Sequence, residues 1–254
     1  MKQTYVQKLE AIAQTFHADT EYPDKFIEHM FQEYYCDGWL RSLLRPEDSV
    51  LELGVGDGLT LAKLSPVPRN YTVVEGAPTL VAAVHDRFPA IEVAQAMFED
   101  YRPQRKFDKV LALHVFEHVN DPVALLKHVR LWLKPEGDLV VIVPNSESIH
   151  RQLAVLMGIQ PRLDSLSPRD HVVGHQRVYS FAGLRADLKE GGFQVVEEKG
   201  FFFKPLPNSM MLDFSRDLLW AMNVIAETLP PELMGNIAVR ARLSRQRPSR
   251  SAKK

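Results

Sequence analysis

The sequence predicts an α/β fold built on a doubly wound, mostly parallel seven-stranded sheet. Three observations point to it. From Val50 onward, short apolar runs alternate with segments of helical apolar spacing, the pattern of parallel strands covered by helices on both faces. Val50 to Leu64 reads VLELGVGDGLTLAKL, a buried strand, a glycine turn and the first turns of a helix. The next strand, YTVV, ends in Glu75, 21 residues after Gly54.

The elements follow in order. Before the first strand, Lys8 to Phe16 and Lys25 to Leu44 carry helical apolar spacing, separated by Tyr22-Pro23. The second stretch is dense in aromatics, including Phe26, Phe31, Tyr34, Tyr35 and Trp39. Strands are expected at 49–53, 71–74, 91–94, 108–113 and 138–143, with helices at about 59–64, 78–87 and 121–132. Asp121-Pro122 is a good start for the third of these helices. After an extended link at 146–178, with a short helix at 149–156, the spacing predicts a helix over 181–190 ended by Gly191-Gly192. A sixth strand begins at 193–198, an amphipathic helix covers 209–229, and a last strand covers 236–243. Met210-Met211 and Phe201 to Phe203 read as core.

With 254 residues, 45% of them hydrophobic, the chain is long enough for one large α/β domain. A formal net charge of −1 provides no global field to draw nucleic acid or anionic membrane. No apolar run approaches the roughly 18 residues of a membrane span, and no secretory core or cleavage site opens the chain, so a cytoplasmic protein is expected. The single cysteine, Cys36, excludes an internal disulfide and reads as a small buried apolar residue. The tail from Ser244, SRQRPSRSAKK, is basic and expected to be disordered.

The glycine turn carries the chemistry. Glycine lets the backbone turn sharply and lets a ligand approach where a Cβ would collide, and the turn delivers the chain to a helix N-terminus with free N–H groups. A P-loop needs Lys-Ser/Thr after its last glycine, but Leu59-Thr60 stand there. A G-x-G-x-x-G dinucleotide fingerprint needs its third glycine at position 59, which is Leu59. What is present is E-x-G-x-G-x-G: Glu52, Gly54, Gly56 and Gly58. An acidic residue about 20 positions on, at the tip of the second strand, suits both hydroxyls of a ribose. That residue is Glu75, followed by Gly76.

These residues resemble the first motif of class I methyltransferases, which use S-adenosylmethionine. Phe107 to Pro122, FDKVLALHVFEHVNDP, strengthens the likeness: its strand followed by "EHVxDP" resembles small-molecule methyltransferases of the ubiquinone-biosynthesis type. The resemblance implies a Rossmann-like sheet with an antiparallel last strand and an N-terminal helical lid (1–47) over a methyltransferase domain (48–243). Substrate-side additions would lie at 146–178 and 199–230. It implies an adenine cradle at Gln95 to Asp100, with Met97 and Phe98 on the base and Glu99 or nearby backbone at its edge. It places His114 beside the methionine part of the cofactor.

Gly174 to Tyr179 resembles a "GHxRxY" element in a branch acting on small metabolites. His is suited to take a proton near neutral pH, and the candidates are His171, His175, His118 and His114, with His171 or His175 favoured on the acceptor side. His171 and His175 stand at i, i+4 without the intervening Glu of H-E-x-x-H, so no metal is expected.

The expected reaction moves a methyl group from S-adenosylmethionine to an oxygen or nitrogen of a small metabolite. A monomer or homodimer, without nucleic acid, would carry it out. An NAD(P)-dependent oxidoreductase and a non-catalytic cofactor-binding module are the alternatives. Methylation of protein or nucleic acid is disfavoured by the lack of a broad basic face and of a D/N-P-P-Y/F element.

Overall fold

The computed structural model describes residues 2–14 and 23–244. Its centre is a seven-stranded sheet: β1 (Ser49–Leu53), β2 (Asn70–Glu75), β3 (Glu92–Gln95), β4 (Phe107–Leu113), β5 (Leu133–Pro144), β6 (Phe193–Phe201) and β7 (Asn236–Leu243). The strand order is β3-β2-β1-β4-β5-β7-β6. β1 to β5 pair in parallel, and β7 runs antiparallel to both β5 and β6. The predicted mixed sheet with an antiparallel last strand is therefore present.

Strand period sorts the core into two faces. Leu139, Val141 and Val143 of β5 point to one side and pack with α5 (Pro122–Trp132) and α8 (Phe181–Glu190). Val140 and Ile142 point to the other and share a cluster with α3 (Leu59–Leu64) and α4 (Pro78–Arg87). α5 begins where the Asp121 side chain accepts from the Ala124 N–H and Pro122 supplies the first helical φ.

Several boundaries differ from the sequence reading. β5 starts at Leu133 because the chain joins the sheet immediately after α5. The predicted helix over 25–44 is α2 (Lys25–Tyr35), which passes into a π-helical turn at Cys36–Leu40. The helix expected at 209–229 is shorter. A 3₁₀ turn at Asn208–Met210 precedes α9 (Arg216–Ala226), which starts where Ser215 accepts from the Leu218 N–H. Met211, Phe201 and Phe202 are buried as expected, whereas Met210 is exposed. Phe201 ends β6 rather than following it.

α1 (Lys2–Ile12) covers most of the first predicted helix; its expected end at Phe16 lies outside the described residues, as does the basic tail beyond Ser244. α2 carries Ile27, Met30 and Phe31 into a third apolar cluster with Phe202, Met211, Leu219 and Met222. This cluster ties α2 to the residues after β6. Cys36 is buried and unbridged.

Candidate active site

Strand order reverses at β1, with β2 on one side and β4 on the other. Helical connections diverge there and leave a crevice beyond the carboxyl ends of the strands. A cleft of ≈920 Å³ opens at this point, lined from the β1 turn to the loop after β5 and covered by Leu9, Ile12 and Ala13 near α1. The size suits a drug-sized or nucleoside-sized ligand.

The turn after β1 is shaped by backbone that side chains resist. Gly54 and Gly56 have φ of 71° and 53°, and Gly58, at 82°, is the left-handed N-cap of α3. Gly54 and Gly56 line the cleft, whereas Gly58 faces Arg87 and Phe88 outside it. Glu52 is 2% exposed, and its oxygens accept from the Thr60 hydroxyl (2.5 Å) and the Tyr71 hydroxyl (2.9 Å). Burial pushes its carboxyl up to about 7 against those two donors. Glu52 thus ties β1 to β2 and α3 from beneath the turn.

Glu75, at the tip of β2, is 8% exposed. Its two oxygens accept from the backbone N–H groups of Val55 (3.2 Å) and Ala77 (2.8 Å). Burial raises its pKa, and the N–H donors moderate the rise. Gly76 lies under Met97, whose sulfur would be 3.0 Å from an added Cβ. Met97, Phe98 and Glu99 follow β3 and line the same end of the cleft.

The other wall begins at β4. His114 continues the ladder by donating its N–H to the Ile142 carbonyl (2.8 Å), but with φ of 58°, a left-handed conformation unusual for a residue with a side chain. Its Nδ1 lies 3.2 Å from Glu117 Oε1. Glu117 is fully buried. Burial alone would raise its pKa, but the His114 hydrogen bond and the neighbouring imidazoles of His118 and His175 outweigh it and keep the carboxyl below its ordinary range. Burial lowers the His118 pKa in turn, against the opposing pull of Glu117. The His118 and His175 rings meet edge to face at 4.7 Å.

His175 is presented by the long link after β5. Its Nδ1 lies 2.7 Å from Asp170 Oδ1. Asp170 is the N3 residue of a capping box on α7 (Pro168–Val172), and also accepts from Arg151 Nη2 (3.2 Å). The next residues clamp the site. Gln176 N–H donates to the Glu117 carbonyl (2.7 Å), and the Arg177 guanidinium donates to the Phe116 (2.8 Å), Val119 and Asn120 carbonyls. The "GHxRxY" stretch therefore holds the "EHV" turn from behind while delivering His175 to the cleft.

His171, one helical turn earlier, is exposed and outside the cleft lining. The chain thus brings His114, His118 and His175 together and leaves His171 apart. The i, i+4 spacing of His171 and His175 does not act as a pair, because α7 ends at Val172 and Gly174 turns the backbone with φ of 83°.

Sequence reasoning missed other groups in the cleft. Asp57, inside the glycine turn, bonds His29 of α2 at 2.6 Å; burial would raise its pKa, but that bond and the Leu59 N–H outweigh it and lower it. Its place between two motif glycines was a usable signal; nothing in the aromatic α2 pattern marked His29. Lys204, after β6, also lines the cleft, and burial draws its ammonium down to about 8.

A family described as a methyltransferase domain matches residues 26–198. The chain belongs to this methyltransferase family. It is 28% identical over 185 residues to a ubiquinone biosynthesis O-methyltransferase of Rhodopseudomonas palustris, covering 71% of each chain. A ubiquinone biosynthesis O-methyltransferase from Xanthomonas euvesicatoria is 28% identical over 64% of this chain and 70% of that one. Among solved structures, an S-adenosylmethionine-dependent methyltransferase from Thermotoga maritima shares the fold. Its TM-score is 0.61 at 20% identity, over 92% of this chain and 99% of that chain. The DhpI complex with S-adenosylhomocysteine has a TM-score of 0.56 at 18% identity, over 96% and 97%. The protein is an S-adenosylmethionine-dependent methyltransferase. No helix among the described residues is long and apolar enough to cross a membrane.

Proposed function

We propose that this methyltransferase moves a methyl group from S-adenosylmethionine to an oxygen or nitrogen of a small metabolite. The observation that carries the reading is the two-ended cleft. Its glycine and carboxylate end meets a histidine end at the β1/β4 mouth, under a cover of N-terminal helix. An acceptor that must reach into this cleft is a small molecule rather than a folded polymer.

The cofactor end fits its ligand. Gly54 and Gly56 open the turn, the buried Glu75 carboxylate stands beside it, and Phe98 lies 3.9 Å from where a Gly54 Cβ would be. Glu75 would take the ribose hydroxyls, Met97 and Phe98 the adenine faces, Glu99 its edge, and His114 the methionine part. Glu52 would hold the turn's shape from below. The bound cofactor supplies an already activated methyl on sulfur. The chain's own work is to exclude water and hold the acceptor in line, the proximity contribution. His118 and His175, with Glu117 beneath them, are the groups for the acceptor's proton. The division into a lid (1–47), a main domain (48–243) and substrate-side additions follows from the same reading.

Calorimetric titration with S-adenosylmethionine and S-adenosylhomocysteine, with NADH as control, tests the cofactor end. We expect binding near micromolar, about 8 kcal/mol, and no NADH heat. Glu75→Ala should weaken it by about 1.5–3 kcal/mol, the range for hydrogen bonds to a charged group. Unchanged affinity in a folded Glu75→Ala chain would remove Glu75 from the ribose role. A screen of small phenols, sugars and amines for S-adenosylhomocysteine release then identifies the acceptor.

A further inference from the structure

Glu117, His118 and His175 each place a ligand-type atom within 4.8 Å of the other two. We infer that these three side chains form a binding site for a divalent transition-metal ion of the zinc type at the acceptor end of the cleft. This departs from the expectation of no metal that the sequence alone supports.

Four features of the cluster carry the inference. The first is the donor set: two imidazoles and one carboxylate are the protein ligands of many catalytic zinc sites, which keep a further position open for water or substrate. The second is an unsatisfied acceptor. Glu117 is 0% exposed, and its Oε2 has no hydrogen-bond partner, while Oε1 is met by His114. A buried carboxylate oxygen without a partner costs stability unless something cationic fills its surroundings.

The third feature is the outer support of the imidazoles. The Nδ1 of His175 is engaged by Asp170 at 2.7 Å, so its Nε2 is the nitrogen left for a metal. Asp170 is itself fixed by the Ser167 N–H (2.7 Å) and by Arg151 (3.2 Å). The His118 ring bonds the Gly174 backbone. A carboxylate or carbonyl behind each ligating histidine is the arrangement that sets tautomer and ring direction in metal sites. The fourth is geometry. Ligands about 2.1 Å from a tetrahedral ion lie about 3.4 Å from one another. Donors spread over as much as 4.8 Å therefore close on an ion through side-chain movements on the order of an ångström. The neighbouring His114 is held in a left-handed conformation at the same turn, the kind of local strain that gathers at binding sites.

The site stands on its own geometry. Its consequence for catalysis rests on the methyl-transfer reading: an ion there would bind an acceptor oxygen and lower its pKa, and the histidines would then be ligands rather than free bases.

The test uses the full chain, stripped with a chelator and dialysed against cobalt chloride. We expect one Co²⁺ per chain, a ligand-field absorption band of low-symmetry nitrogen–oxygen coordination, and two contact-shifted imidazole N–H proton signals. The last readout locates the ion in the unaltered protein. His175→Ala and Glu117→Gln should lose the bound ion, and Asp170→Asn should weaken it by about 10–100-fold, as loss of outer-shell partners does. His171→Ala should leave it unchanged. S-adenosylhomocysteine binding, measured on each chain, reports folding and the cofactor reading separately. A chain that binds S-adenosylhomocysteine but takes up no Co²⁺ overturns the metal site alone. So does uptake without shifted imidazole signals, or uptake retained in folded His175→Ala.

Discussion

At the residue scale, two glutamates at neighbouring strand ends differ by what surrounds them. Glu75 is met by backbone N–H groups and faces the cleft; Glu52 is met by two hydroxyls and lies beneath the turn. Hydroxyl donors do not fully offset burial, so the Glu52 carboxyl titrates at about 7 in the folded chain, against about 4.3 when unfolded. The folded state then holds a proton that the unfolded state has released. A raised carboxyl pKa gives stability that is complete below pH 4.3 and is lost as pH rises through 7, by roughly 4 kcal/mol at most. Denaturant melts of Glu52→Gln between pH 4 and 8 should show this decline flattened. A decline as steep as that of the unaltered chain would place the proton elsewhere.

At the element scale, the short helix α7 orients the histidine end of the cleft. Its capping box uses one serine, Ser167, to satisfy the Asp170 N–H and donate to the Asp170 carboxylate, which in turn holds His175 and Arg151. Ser167→Ala removes the cap, at about 1 kcal/mol. In a chain of this size, that lowers the thermal midpoint by about 2–4 °C. Arg169 of α7 also reaches Asp24 and Glu28 at the start of α2, but the Ser167 cap acts through Asp170 on His175 and Arg151, so S-adenosylhomocysteine affinity should stay within about twofold. Scanning calorimetry and titration on the same preparation check both. A loss of cofactor affinity equal to the loss of stability would mean that the two ends of the cleft are mechanically one. The sequence shows the loop's content but not this linkage. Ser167, Asp170 and His175 are close in the chain, yet Arg151 and the "EHV" turn reach them only across the fold.

At the scale of the whole molecule, Asp138 joins three strands. It is 1% exposed, and it bonds Lys109 of β4 at 2.5 Å and Arg242 of β7 at 2.7 Å. Burial would raise its pKa, but these cations outweigh it and hold the carboxyl low. The sign is opposite to that of Glu52. A depressed carboxyl pKa gives stability present above the unfolded value of about 3.9 and lost as pH falls below it toward the folded value. Asp138→Asn should cost about 1–2 kcal/mol at pH 7, the partial exposure of Arg242 reducing the charged-bond range, and should make acid unfolding less steep. Acid titration followed by circular dichroism measures that slope; equal slopes in the two chains would reject the assignment.

What the chain determined by itself is the part that depends on local order. Alternating strand and helix periods, the three spaced glycines and an acid at the second strand's tip are all short-range patterns. They were enough for the doubly wound sheet, its switch point and the glycine turn that lines the cleft there. Only tertiary structure decided the histidine end of the cleft. Which of four histidines meet depended on a turn at Gly174 and on Arg177 clamping carbonyls 57 to 61 positions away. That Glu117 is a buried carboxylate depended on packing around it, which the sequence does not show. Side-chain periodicity reports which face of an element is buried; it holds no information on which distant groups share that burial, and the chemistry of this site is made of such groups.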